Sequence, residues 1–476
     1  MIAGASFAPF SVAKDQPSQA TMAVSPAMEL LSAYMSQAQT RALPNAAIEK
    51  TKQHMLDTIA AMVSGSQLKP GEFALRWARE QQGNAAATVA ASNITCGTIE
   101  AAFVNAMLAQ ADETDDSHAP SQSHPGCSIV PVALAASERF AIGGSQMLRA
   151  VALGYDIGTR VTMAVVRPAF QTDNRMSSHS VAGCFGSAAA GACAAGLNQQ
   201  QMRWVLDYAS QEASGIKVWQ RDTEHIEKAF LFGGMPARSG ITAALLVQAG
   251  ATGVDDVFSG ADNFLSAFGG AQADPAILTE KLGERFEVAR TNIKKWTVGS
   301  PIQAPLDAIQ NLRIRRPFSA GDVREVTVRL APSEAGLVDN RDMPDTCLQH
   351  MVAVMLLDGT ASFRAAHDKP RMKEVSVERE RAKVRLLRDG ELEKLLPARV
   401  AVVEVTLTDG SVLTERVDAV RGTAENPMTP EEVVAKAREL MASVLGPAQT
   451  AKLIDKVLNL EKIDDVRQLR PLLQVA

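Results

Sequence analysis

Between Asp112 and Cys127 the chain reads DETDDSHAPSQSHPGC, which places four acids, two of its seven histidines and two prolines in sixteen residues. Carboxylates beside imidazoles are the side chains that move protons near neutral pH. His118 and His124, with Asp112, Glu113, Asp115 and Asp116, therefore form a candidate acid/base or substrate-contacting set. A metal site would need three or four convergent ligands, and two histidines separated by five intervening residues among loose aspartates do not have a zinc spacing, so no metal is expected. The plain alternative is a solvated capping loop. A run of this composition is neither helix nor strand, and loops held by a rigid scaffold carry most catalytic groups.

A second candidate is RDTEHIEKAFLFGGMPARSGITAAL, Arg221 to Leu245, where a glycine pair stands just before an apolar helix. Free N–H groups at a helix start suit a carboxylate, and Arg238 adds a planar bidentate partner. The competing reading pairs Lys228 and Arg238 with Glu224 and Glu227 on the surface. His179 in MSSHSVAG and His350 in LQHMVAVMLLDG each stand beside an apolar helix and read alone as structural histidines. Ser300, Pro301 and Ile302 mark the entry to a second region, with Gln303 just inside it. GCFGSAAAGACAAG reads as a close helix contact; no strand precedes it and no Lys-Ser/Thr follows, as a phosphate loop requires.

The elements that must hold these groups are mostly helical from about Ser25 to Gly270, with glycine and proline punctuation. Ile99, Phe103 and Met107 share one helical face leading into the loop. Beyond the loop, Ser128 is expected to cap a helix with Pro131 in its first turn. Further helices are expected over Gly143–Ala164, Val181–Ala195, Asn198–Ala213 and Gly234–Gly250. Past about Thr291 strand alternation takes over: Val326, Val328 and Leu330 in one strand, Val403, Val405 and Leu407 in another, the latter ending at an Asp409-Gly410 turn. Thr429, Pro430 and Glu432 then supply cap, first-position proline and capping-box glutamate for a late helix.

At 476 residues the chain is too long for one ordinary core. The expected fold is mainly α: a loose leader over 1–24, a helical domain over 25–290, a smaller α+β lid over 291–425, and helices over 426–476 that rejoin the helical domain. A net charge of −5 with dispersed lysine and arginine argues against nucleic acid. No apolar run approaches the roughly 20 residues that span a bilayer, which sets a membrane aside. Five cysteines without a CxxC pair suit a reducing, cytoplasmic setting.

Several stretches occur together in a telling order: DETDDSHAPSQSHPG, GYDIGTR, HSVAGCFGSAAAGA, GGMPARSGITAALLVQAG, FSGADNF, SPIQAPLDAI, MLLDG and a late NPMT helix. Over roughly Pro44 to Leu460 the chain resembles the MmgE/PrpD family, which includes 2-methylcitrate dehydratase, cis-aconitate decarboxylase and iminodisuccinate epimerase. The resemblance implies a helical domain closed by its C-terminal tail, an inserted α+β lid, commonly a homodimer, and cofactor-free chemistry on small di- or tricarboxylates in the cleft between. It places the loop acid on Glu113, with Asp112 competing, a hydroxyl on Ser117 and the loop histidine on His124. It also brings His179 and Lys228 toward the cleft, the latter offset by one position.

The chain departs from the family pattern at Glu113, where aspartate is usual, at Gln303, where a lid histidine is usual, and at His350, where a tyrosine is usual. Glutamine cannot exchange a proton at neutral pH and histidine can. The expected catalytic set is His124, Glu113, Ser117, Lys228 and His350, with Arg238, His179, Gln303 and His118 as substrate contacts. The expected activity is a lyase, dehydratase or decarboxylase; an epimerase of amino- or imino-dicarboxylates and a noncatalytic polycarboxylate binder are the alternatives.

Overall fold

A computed structural model describes residues 24–81, 83–166 and 175–475, so the leader expected over 1–24 lies, but for Val24, outside the described residues. Helices dominate and sheets are small, as the periodicity implies. Asn198 and Gln201 close a capping box ahead of Gln199–Glu212, and Thr429 and Glu432 close another ahead of Pro430–Leu445. The helix Gly144–Val165, which carries GYDIGTR, packs on Ser178–Ala194. At Gly158 a Cβ would lie 2.2 Å from the Ala182 carbonyl oxygen, so glycine is what permits that approach.

Leu56, Ile59 and Val63 of the Asn45–Gly65 helix share one hydrophobic core with Leu108, Ile129 and Val151, and with Val433, Leu440 and Met441 from the C-terminal tail. A second cluster joins Met28 and Leu31 to Ile157, Phe185 and Val205. A third is built from Ile302, Ile309, Val326, Val328, Met351, Val403 and Val405.

That third core lies under a sheet. Besides the short antiparallel pair β1 (Ala87–Thr88) and β2 (Thr95–Cys96), four strands, β3 (Val323–Leu330), β4 (Val384–Arg388), β5 (Ala401–Leu407) and β6 (Val412–Val417), run in the order β4-β3-β5-β6. β3 is parallel to β4 and antiparallel to β5, with Val326 opposite Val405 and Val328 opposite Val403. The Asp409-Gly410 turn joins β5 to β6, with Gly410 at φ +89°. Alternation thus puts Val326 and Val328 of β3 and Val403 and Val405 of β5 on one buried face, covered by the helices Ser300–Arg315 and Leu348–Asp358.

Three local expectations are corrected. The helix after the loop begins at Gly126 rather than behind Ser128, whose hydroxyl donates back to the Pro125 carbonyl at 3.3 Å, and Pro131 falls inside it. Gly233 and Gly234 do not mark a free helix start: a π turn over Phe230–Gly234 continues Ile226–Ala229 directly into Met235–Gln248. The resulting helix, Ile226–Gln248, has 23 residues and a mean hydropathy of 1.3 over its most apolar stretch, long and apolar enough to cross a bilayer. Lys228 and Arg238 interrupt its apolar run, so it does not read as a span in the sequence. That stretch is 67% buried, packed on Ser178–Ala194 and Thr98–Ala109.

Candidate active site

The opening loop is held in two layers, and its acids divide between them. Asp112 and Asp116 face the scaffold. Asp112 folds the chain locally, accepting from the Thr114 N–H at 2.9 Å and hydroxyl at 2.6 Å, and meets His367 Nε2 at 3.0 Å. Asp116 accepts from the Gly126 N–H at 3.0 Å and the Tyr155 hydroxyl at 2.5 Å, and pairs with His54 Nδ1 at 3.0 Å. Those partners crowd Gly126, where a Cβ would lie 2.5 Å from the Tyr155 oxygen. The tail closes the loop from another side: Lys436 donates to the Thr114 carbonyl at 3.1 Å and pairs with Asp57 at 2.6 Å.

Glu113, Asp115 and His124 form the inner layer. His124 Nδ1 lies 2.9 Å from both Asp115 oxygens, which leaves Nε2 as the nitrogen able to serve a substrate. Glu113 is ion-paired with Lys228 and lies 3.6 Å from Lys294, which also reaches Asp115 at 3.3 Å and the Glu113 carbonyl at 2.9 Å. Around them, His179 stacks on Phe232 with centroids 3.6 Å apart and meets His124 edge-on at 5.0 Å. The Lys228 ammonium lies 5.3 Å from the Trp219 ring and 5.1 Å from Phe232.

Burial, with the Lys294 and Lys228 charges, holds the His124 imidazole neutral, well below its usual range. Burial, reinforced by Asp116 and Glu113 against the pull of Lys294, lifts the Asp115 carboxyl to about 7. Glu113 stays ionised because Lys228 and Lys294 outweigh its burial, and Lys294 stays charged because Asp115 and Glu113 do the same for it. The pair His124 and Asp115 thus holds one exchangeable proton near neutrality, in a setting of two fixed cations.

The other expected residues are placed as follows. His179 joins the inner layer. Ser117 is half-buried at the edge, its backbone bridged to Asn292. His118 lies buried behind the loop with both ring nitrogens engaged, to Glu287 at 3.2 Å and the Ser121 hydroxyl at 2.8 Å, so it props the loop and offers no free atom to a substrate. Gln303 accepts from the Trp296 N–H at 3.1 Å and donates to the Trp296 and Val298 carbonyls at 2.7 and 2.8 Å, which uses its amide to fix the segment entering the third core. His350 is buried inside that core, its charged neighbours being Arg381, Arg371 and Asp368, and burial lowers it to about 4. Arg238 is exposed, about three turns along the helix from Lys228, with Glu212 for a charged neighbour. The surface pairing weighed for Lys228 gives way to the buried pair with Glu113, while Glu224 takes Lys69 at 2.9 Å.

Sequence named Asp115 only as one of the loop's carboxylates and not as the partner of His124, and it did not single out Lys294, His225, Asp345 or His367. Burial raises Asp345 to about 7 beside His367, Glu113 and Asp112. Lys294 carried a usable signal, a lysine pair directly ahead of Trp296 at the junction of the two regions. Among the described residues no three His, Cys, Asp or Glu side chains are grouped to hold a metal ion.

Fold and site together define a mainly helical protein with a buried centre of paired carboxylates, lysines and imidazoles. The chain belongs to the MmgE/PrpD family: residues 29–275 match the MmgE/PrpD N-terminal domain and residues 296–461 the C-terminal domain. It is similar to cis-aconitate decarboxylase of Aspergillus terreus, 26% identical over 470 residues that cover 90% of this chain and 92% of the relative. Cis-aconitate decarboxylase of Homo sapiens is 25% identical over 466 residues, covering 91% of each. The cis-aconitate decarboxylase-like protein oryM of Aspergillus oryzae is 24% identical over 468 residues, covering 90% of this chain and 94% of the relative.

Proposed function

We propose that this protein is a lyase that removes CO₂ from cis-aconitate or a closely similar unsaturated tricarboxylate. The observation that carries the reading is the His124 and Asp115 pair, 2.9 Å apart and flanked by buried Lys228 and Lys294. The relatives' names, over nearly full-length matches, support the substrate class.

In such an acid the departing carboxylate sits on a carbon next to the double bond. When the C–CO₂ bond breaks, its electron pair forms a new terminal double bond, and the old double bond's pair moves to the far carbon. A carboxylate on that carbon spreads the charge as an enediolate, which Lys228 and Lys294 are placed to stabilise. The far carbon then takes a proton from His124 Nε2, while Nδ1 takes the Asp115 proton, so the imidazole stays neutral throughout. One CO₂ leaves and one proton is consumed. In this reading Glu113 spaces the two lysines, His179 and Phe232 wall the imidazole, and the α+β segment over 291–425 acts as a lid that brings His367 and Asp345 to the loop.

The pH dependence follows with a definite sign. Asp115 has a raised carboxyl, protonated below about 7. The proton-donating form of the pair is therefore present below that pH and lost above it, so kcat for CO₂ release from cis-aconitate should fall as pH rises through 7, by roughly tenfold per unit once past it. A pH–rate profile from 5.5 to 9 checks this. A rate that climbs through the same window would mean the pair starts as a base, as dehydration or epimerisation requires.

A further inference from the structure

His225 is only 5% exposed, and neither of its ring nitrogens has a hydrogen-bond partner among the described residues. Its backbone lies in the left-handed region at φ +62°. The turn is held there by Asp222, which accepts from the Glu224 N–H at 2.9 Å and the Lys228 N–H at 3.0 Å, while the His225 carbonyl receives the Ala229 N–H at 3.0 Å. The imidazole thereby has Lys228, Glu113 and Asp112 as charged neighbours, and burial and Lys228 keep it neutral, at about 4.

Two further ring nitrogens around Lys228, Trp219 Nε1 and His179 Nδ1, are buried without partners as well, and the two rings lie 6.0 Å apart. Buried donors left unpaired are costly and uncommon, and a non-glycine residue held in left-handed backbone is a strain that collects at functional sites. Both point to an acceptor-rich ligand that completes them. The charges say which. Lys228 and Lys294 already face Glu113 and Asp115, so two lysines cannot match every carboxylate of a tricarboxylate. A neutral N–H donor is what remains for the last.

We infer that His225 is a specificity-determining residue: its ring N–H hydrogen-bonds a substrate carboxylate beside Lys228 and selects tricarboxylates over dicarboxylates. This rests on the lyase reading above. Tricarballylate and glutarate test it, because they differ by one carboxylate and have no double bond to react. By titration calorimetry the wild-type chain should bind tricarballylate at least about 10-fold more tightly than glutarate, the scale of one charge-assisted hydrogen bond. His225→Gly suits the positive φ and removes the donor, so it should fold normally and lose that preference. His225→Asn tolerates the same backbone, keeps an N–H, and should retain most of it. A preference unchanged in His225→Gly, or absent from the wild type, overturns the role of His225 while leaving the lyase reading in place. Wild-type protein that binds neither acid overturns both.

Discussion

Replacing His124 by alanine should lower turnover of cis-aconitate at least roughly 10²-fold, the usual contribution of a positioned acid/base group. The reason is specific to one atom. Nδ1 is taken by Asp115 at 2.9 Å, so Nε2 is the nitrogen that can reach a reacting carbon. Asparagine at this position sharpens the test, because its amide can still hydrogen-bond Asp115 where Nδ1 does, while nothing replaces Nε2. His124→Asn should therefore unfold at the same urea concentration as the wild type and be as inactive as His124→Ala. Steady-state kinetics with a matched unfolding curve checks both halves. Near-normal turnover in either variant would remove His124 from the chemistry.

Lys294→Ala should show the second large effect, on stability as well as activity. The lysine is 3% exposed and is shared by Asp115, Glu113 and the Glu113 carbonyl. Breaking a buried ion pair from one side costs about 3–5 kcal/mol, because the remaining charge is left uncompensated. After burial itself, Lys294 is also the foremost influence holding His124 neutral. Its removal should raise the His124 pKa toward the ordinary imidazole range, readable from the ring protons by NMR titration. Lys294→Met keeps the aliphatic stem and should show the same titration shift with a smaller packing loss. Unchanged stability together with an unchanged His124 titration would contradict the arrangement.

Much of this architecture is legible in the chain because the relevant signals are local. A dense polar run between apolar helices marks the loop, and two-residue alternation marks β3 and β5. Thr429 with Glu432 announces the helix it caps, and the order of motifs carries the family. The inner site is less legible because it is assembled from distant segments. Composition could not show that Asp112 and Asp116 turn to the scaffold while Glu113 and Asp115 turn to the site; that follows from contacts with Thr114, His54 and Tyr155. Lys294 reaches Asp115 from 179 residues away. The π turn at Phe230–Gly234 was invisible to a 3.6-residue period, and with it the placing of Phe232 under His179.

Gln303 and His350 show the opposite case, residues singled out by correspondence whose hydrogen-bonded or charged neighbours are not those of the loop. The Gln303 amide is used by the Trp296 and Val298 backbone, and His350 is fully buried on the Leu348–Asp358 helix, with neither ring nitrogen hydrogen-bonded among the described residues. The groups that approach the loop from the α+β segment are instead His367, at 3.0 Å from Asp112, and Asp345. A family histidine can thus be absent from its usual position while an imidazole and a carboxyl group still come up to the loop.

The central claim is that the His124 and Asp115 pair delivers a proton to carbon as CO₂ leaves a tricarboxylate. Incubating the protein with cis-aconitate in D₂O and reading the product by NMR tests it most directly. The account predicts CO₂ release with one deuterium on the carbon beside a retained carboxylate and a terminal methylene free of label. Release of water or addition of it, exchange of label into unreacted cis-aconitate without CO₂, or no reaction at all would contradict it.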